Sequence, residues 1–340
     1  FQDENGWGMV LHYGANSLPT KDAWVLFNKV YDSGGGIMST FGENLHFIGN
    51  EIYNVQATST DPLDGACFGY RSTSLVMDII DNTCYDYDIG VSLPSGLLSS
   101  GDDVNIYGNI FSTRASSTQY EIKVSGSSEN QYVDMDYNQF YNPSGSAAFL
   151  WGGSSRILSY MQNTAIECTH CIESNPLFTD ASGADFTLQS SSPARDAIVE
   201  HSSYDNFYSI YSLSIKKDIL ETSRPQNGVW DMGAYEYIVL VDTTPPVLSS
   251  GSPSTEQSAG TTQVTLSVTT NESSTCKYGT TANTAYGSIA STFTTTGGTT
   301  HSSTISSLTN GTSYNYYVRC IDGSSNTNSS DYTISFSVAS

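Results

Sequence analysis

Short runs in which apolar and polar residues alternate, with no stretch where apolar residues return every three or four positions, predict strands along the whole chain. Four runs share one form, an apolar-rich strand, an asparagine and a second short apolar strand. They are Leu45–Tyr53 around Asn50, Met77–Tyr85 around Asn82, Val104–Phe111 around Asn109 and Tyr132–Tyr141 around Asn138. The asparagines are 32, 27 and 29 residues apart. Spacing this irregular suits solenoid coils of three short strands with loops of variable length. In such a coil the chain returns about 4.8 Å above itself, so equivalent residues stack. An asparagine at the corner between two strands tolerates left-handed backbone geometry and can hydrogen-bond to the asparagine of the next coil. Two residues further on, Ile52, Cys84, Phe111 and Phe140 are expected to form an inward apolar stack. A third strand follows each loop, at Ala66–Arg71, Ile89–Leu93, Tyr120–Val124 and Ala147–Trp151. Alternation places Ile89, Val91, Leu93, Tyr120, Ile122 and Val124 inside. It places Gly90, Ser92, Glu121 and Lys123 outside, with Arg71 on the same outer stripe if Phe68 and Tyr70 face in.

The last hundred residues read differently. Asp242-Thr-Thr-Pro-Pro246 is a stiff linker, because consecutive prolines favour an extended chain. Beyond it, Val264–Val268, Ser273–Tyr278, Ser302–Ile305, Ser313–Cys320 and Tyr332–Val338 read as sandwich strands with turn signals between them. The expected fold class is all-β. A parallel β-helix occupies residues 1–238, a proline-containing linker 239–247 and a small antiparallel β-sandwich 248–340.

Particular motifs sharpen both halves. Asn175-Pro-Leu-Phe178, Ala184-Asp-Phe-Thr-Leu188, Ser192-Pro-Ala194 with Asp196, and Trp230-Asp-Met-Gly-Ala-Tyr-Glu-Tyr237 follow one another in order. Residues 1–237 with this ending resemble the C-terminal part of secreted right-handed parallel β-helix proteins of the pectate lyase-like superfamily, and the series resembles their closing coils. Thr270-Asn-Glu, Cys276-Lys-Tyr, Leu308 to Tyr314 and Tyr317-Val-Arg-Cys320 resemble fibronectin type III-like (immunoglobulin-like) modules of bacterial surface proteins. That second resemblance implies a Cys276–Cys320 bridge. Both imply a fold and an extracellular address and say little about chemistry. Because Phe1 leads straight into the strand-like run Gly8–Tyr13, further coils are expected upstream, and the natural chain is expected to continue past Ser340.

Charge narrows the partners. With 12 Lys+Arg against 34 Asp+Glu the net charge is −22, which repels nucleic acid and anionic lipid alike. No apolar run reaches the roughly 18 residues of a membrane helix. Six cysteines fit an oxidising compartment if they pair. Cys67 and Cys84 can bridge adjacent turns provided the register points both to one face. Cys168-Thr-His-Cys171 has the spacing of half a zinc site without the other half, so a local disulfide or two thiols is the better reading.

Candidate chemistry is sparse. β-Helix enzymes that cleave polyuronates combine Ca²⁺-binding carboxylates with an Arg or Lys base on the exposed strand face, and Arg71 and Lys123 are the residues available for that role. Asp86 with Asp88, and Asp134 with Asp136, are i, i+2 pairs expected on one strand face, the oxygen density a Ca²⁺ ion wants. Trp151 is the aromatic candidate for a sugar face. No Ser-His-Asp context, phosphate-binding glycine loop or H-E-x-x-H motif occurs. Sequons at Asn271, Asn310 and Asn328 mark polar loops. The function expected is an extracellular structural or adhesive protein, self-associating into a fibre or array or contacting other cell-surface proteins, with no cofactor required. A polysaccharide lyase or hydrolase, or a carbohydrate-binding protein, is the alternative.

Overall fold

Each coil runs from a strand through an asparagine corner into a second strand, then through a loop into a third, because the alternating runs can bury one face only by stacking on the next coil. The computed structural model describes residues 6–11, 20–40, 42–58, 61, 63–71, 76–113, 120–226, 228–239 and 242–340. It divides into two units, Phe1–Ile238 and Val239–Ser340.

Three parallel sheets form the solenoid of the first unit. The first contains Trp7–Leu11, Gly35–Ser39, Ala66–Tyr70, Ile89–Leu93, Tyr120–Val124 and Ala148–Trp151, ended by antiparallel Ser154–Ile157. Thr20–Leu26, Gly42–Ile48, Val76–Ile80, Asp103–Tyr107 and Val133–Asp136 make the second. In the third lie Lys29–Ser33, Glu51–Val55, Thr83–Tyr87, Ile110–Ser112, Gln139–Tyr141 and Ile172–Glu173. Ile52, Cys84, Phe111 and Phe140 stack inward in register, each fully buried. Residues 158–165 pack Leu158 and Met161 into the same core beyond the final coil.

The asparagines form a continuous hydrogen-bonded ladder. The Asn50 backbone N–H and Nδ2 donate to Asn82 Oδ1 at 2.8 and 2.9 Å, Asn82 does the same to Asn109 at 2.9 and 2.9 Å, and Asn109 to Asn138 at 3.0 and 2.9 Å. Asn28, unnoticed in the sequence pattern, is a further rung on Asn50. The left-handed residue is not the asparagine but the one before it, Phe27, Gly49, Asp81, Gly108 and Tyr137 in successive coils. The asparagine side chain is thereby free to face the next rung.

Strict alternation fails at the start of the first-sheet strands. Ile89 and Tyr120, expected inside, share an outward row, and Ile89 packs in a separate cluster with Trp7, Met38, Leu63 and Ala66. Gly90 and Glu121, expected outside, turn inward. A Cβ on Gly90 would lie 2.3 Å from the Glu121 carbonyl and 2.8 Å from the Phe111 ring, and Glu121 is fully buried. Two successive positions, 90 and 91, sit on the inside of the bend where the loop enters the sheet. The Tyr87 hydroxyl donates to the Glu121 carboxyl, whose pKa burial pushes up to about 8.

Among its described residues the tail, 175–238, adds no strand to the three solenoid sheets. It lies against the outer faces of the second and third sheets, where Phe186, Ile198, Tyr204, Trp230 and Met232 pack on Ile48, Ile80 and Ile110. Glycine is required at 233: φ is +86° and a Cβ would meet Thr83 Oγ1 at 2.7 Å. There the Gly233 N–H reaches the Gly108 carbonyl at 2.7 Å, and the Ala234 N–H reaches Thr83 Oγ1 at 2.9 Å. Lys29 Nζ donates to the Tyr235 hydroxyl at 3.0 Å and pairs with Glu51 at 3.0 Å, while that hydroxyl donates to Glu51. Arg224 is buried. It donates to the carbonyls of Asp231 and Gly233 and lies 3.5 Å from Asp81 and 3.7 Å from Glu236. Burial raises both carboxyls to about 7 against the pull of Arg224.

In the second unit, antiparallel Leu248–Ser252, Gln263–Thr270 and Thr300–Ser306 form one sheet. Ser291–Thr292, Ser274–Gly279, Ser313–Asp322 and Tyr332–Ser337 form another. Leu266, Val268, Val318, Ile334 and Phe336 fill the core. Leu248–Ser252 and Ser291–Thr292 escaped the sequence reading because they are short and serine-rich, with little apolar alternation.

Candidate functional site

On the outer face of the second sheet one register row reads Trp24, His46, Asp78, Asn105, Asp134. The Ser202–Tyr211 helix covers its first part. Trp24 stacks on His46 at 3.7 Å and meets Phe207 edge-on at 4.9 Å. Asp78 Oδ2 faces His46 Nδ1 at 2.7 Å and accepts from Ser203 Oγ at 2.6 Å, while Oδ1 accepts from Asn105 Nδ2 at 3.1 Å. Burial works to raise the Asp78 pKa, but the bonds from His46 and Ser203 outweigh it and the pKa falls below the usual value. Burial likewise lowers the pKa of His201, the N-cap of the helix.

Past Asp78 the tail leaves the row, and a cleft of about 240 Å³ opens, lined by Asn105, Tyr107, Asp134, Asp136, Glu167 and His201 among others. Asp136 is saturated: it accepts from the Tyr137 N–H at 2.9 Å and the His170 N–H at 2.7 Å and faces His170 Nδ1 at 2.7 Å. Tyr107 donates to the Val199 carbonyl at 3.1 Å, and burial raises its pKa to about 12. Burial and the charge of Asp134 bring Glu167 up to about 6, and burial with Asp134 and Asp78 raises Asp103. The cleft therefore brings Glu167, which binds a proton in mild acid, together with the side chains of Asp134 and Asp136, beside amide, phenol and imidazole hydrogen-bonding groups. That arrangement suits polyhydroxylated or cationic ligands and repels anions.

Asp134 and Asp136 share this cleft, as their spacing suggests. Asp86, left-handed at φ 61°, and Asp88, in the bend just past Thr83–Tyr87, are partly exposed on either side of the buried Tyr87. Asp88 Oδ2 accepts from the Ala57 N–H at 2.7 Å. Arg71 lies just past Ala66–Tyr70 and holds Asp61. Lys123 shares an outward row with Ser92 and Gly69, and burial lowers its pKa. Trp151 is buried in the solenoid core, 4% exposed, and presents no face to a sugar.

The three cysteine pairs lie at disulfide-bonding distance. Cys67 and Cys84, Cα atoms 6.4 Å apart, both face the core across adjacent coils. Cys168 and Cys171 close a local loop, and Cys171 Sγ accepts from the Asn138 N–H at 3.4 Å, ending the asparagine ladder. Cys276 and Cys320 stand opposite one another on neighbouring strands of a single sheet. In the second unit, carboxylate oxygens of Asp242, Glu272 and Asp322 lie within 4.8 Å of one another and could hold a cation. The sequon asparagines serve turns: Asn328 Nδ2 donates to the Pro246 carbonyl at 2.6 Å, and Asn271 and Asn310 accept from the N–H groups of Val247 and Gly260.

His46 and Asp78 were legible as outward positions of their strands once the coil register is applied. Glu167 and His201 were not, because nothing in the repeat foretells where the tail lies. Comparison with protein-family models, curated proteins and solved structures returns no match.

Proposed function

We propose that the chain is a secreted structural or adhesive protein, its solenoid a rigid rod and its sandwich a spacer or docking module, working by self-association or contact with other cell-surface proteins. The observation that carries this reading is the use made of buried charge. Buried Arg224, Asp81, Glu236 and Glu51, the last paired with the exposed Lys29, tie the tail to the coils instead of lining an open groove. Buried ion pairs contribute little net stability, and one use for them is to fix a single arrangement. The asparagine ladder and the three cysteine pairs point the same way and suit an oxidising compartment. No described helix is long and apolar enough to cross a membrane. The resemblances to pectate lyase-like β-helices and fibronectin type III-like modules belong to this proposal, as does Ca²⁺ at Asp242, Glu272 and Asp322. Electron microscopy of the native protein tests it. Ordered filaments or arrays are expected, and isolated particles at every concentration would overturn it.

The Asp134–Glu167 pair favours a second reading, hydrolysis of an uncharged polysaccharide. A carboxyl whose pKa burial raises to about 6, beside a second carboxyl, is the kind of pair from which glycoside cleavage draws its acid and base. Release of sugar from a neutral polysaccharide, abolished by Glu167→Gln, would replace the scaffold reading with this one.

A further inference from the structure

The outer face of the third sheet carries tyrosines in a single register row, Tyr31, Tyr53, Tyr85 and Tyr141, interrupted only at Ile110–Ser112, which puts Ser112 in the row. Where the row is filled, rings stack: Tyr31 on Tyr53 at 5.1 Å, with planes 9° apart. Where a little space remains, the tail inserts a ring: Phe186 lies 5.2 Å from Tyr53 and 5.1 Å from Tyr85. At Ser112 no ring fills the row: the tail's Phe178 meets Tyr85 edge-on at 6.1 Å, and a pocket of about 360 Å³, lined by Phe178 among others, opens between Tyr85 and Tyr141. Small-molecule sites begin at about 300 Å³. Two coil rises separate the flanking tyrosines by about 9–10 Å. A ring in van der Waals contact on both faces needs about 7–8 Å.

The chemistry of the lining narrows the occupant. No charged side chain lines the pocket. Ser112 is 2% exposed and lines the pocket. Thr113 Oγ1 reaches the Tyr141 carbonyl at 3.3 Å. Asn175 Oδ1 accepts from the Leu177 N–H at 2.9 Å and Gln189 Nε2 donates to the Phe178 carbonyl at 2.8 Å, which leaves the amide nitrogen of Asn175 and the amide oxygen of Gln189 to a ligand. Aromatic walls with hydroxyl and amide groups between them match a pyranose, apolar on its C–H face and hydroxylated at its edge. A flat aromatic ring would leave the polar groups unmatched.

We propose that the vacant rung is a subsite for one uncharged pyranose residue, held against Tyr85 and Tyr141 with its hydroxyls on Ser112, Thr113, Asn175 and Gln189. This goes beyond the scaffold reading and does not depend on it. The test uses the full chain and saturation-transfer NMR with the methyl pyranosides of glucose, galactose, mannose and N-acetylglucosamine, and with benzyl alcohol as a flat-ring probe. At least one glycoside is expected to bind. Ser112→Tyr supplies the missing rung, and Tyr141→Ala removes a wall; each is expected to weaken binding about tenfold or more, the scale of one stacking contact. Tryptophan fluorescence checks folding, and if Ser112→Tyr does not fold, Tyr141→Ala decides alone. Absence of glycoside binding, binding of benzyl alcohol alone, or undiminished affinity in the folded variants would overturn the proposal.

Discussion

Replacing Asn82 with alanine breaks the ladder at its middle. Asn82 Oδ1 accepts from the Asn50 backbone N–H and Nδ2, and Asn82 Nδ2 donates to the Phe47 carbonyl and to Asn109 Oδ1, at 2.8–2.9 Å and all buried. In the variant the Asn50 N–H loses its partner on Asn82, a cost of about 1–3 kcal/mol for a buried donor. Asn50 Nδ2 keeps the Val25 carbonyl, and Asn109 Oδ1 keeps the backbone N–H of residue 82. The three weakened bonds add about 0.5–1 kcal/mol each. The expected loss is therefore about 2.5–6 kcal/mol. Asn28→Ala at the end of the ladder removes two half-buried bonds, to the Leu26 carbonyl and to Asn50 Oδ1, and is expected to cost about 1 kcal/mol. All four tryptophans, Trp7, Trp24, Trp151 and Trp230, lie in the first unit, so urea unfolding followed by tryptophan fluorescence reports that unit alone. Equal losses for the two variants, or less than about 1 kcal/mol for Asn82→Ala, would refute the claim that the buried ladder holds the coils in register.

Two further outcomes follow from groups inside the solenoid. Glu121 has a folded-state pKa of about 8, above its unfolded value, so the folded state holds its proton more tightly. The corresponding stability is fully present below about pH 4.5 and is lost as pH rises toward 8. Melting temperature followed by tryptophan fluorescence should fall over that window, and Glu121→Gln should flatten the fall; an unchanged slope would remove Glu121 as its source. Cys67→Ala with Cys84→Ala should cost about 3 kcal/mol for the 17-residue separation it frees, measured in the same urea titration against the wild-type chain under oxidising conditions.

The solenoid was legible because its physics is local and repeated. One asparagine per coil, with an apolar residue two positions later, recurs wherever a corner must place one face inside, and Ile52, Cys84, Phe111 and Phe140 obey it. Alternation misassigned Ile89, Gly90, Tyr120 and Glu121 because a period of two holds along a straight strand and fails at a bend. Asn28 was missed because its flanking strands, Thr20–Leu26 and Lys29–Ser33, contain lysines at Lys21 and Lys29 that dilute the apolar signal. The tail motif from Trp230 to Tyr237 was visible as a motif, yet its role depends on Arg224, Asp81 and Glu51, residues far apart in sequence that only the folded chain brings together. For the same reason Glu167 and His201 could not be joined to Asp134 beforehand.

The tail is locked onto the coils by buried hydrogen bonds and packing, so the two should open together. Native-state amide hydrogen exchange tests it most directly, through the N–H groups of Gly233 and Ala234, which bond to Gly108 and Thr83. These amides are expected to exchange as slowly as those of Val76–Ile80 and Asp103–Tyr107, opening only when the solenoid unfolds. Fast exchange in residues 230–237 with the coils still protected would contradict it, since the tail would then be a lid that opens to expose the sheets beneath.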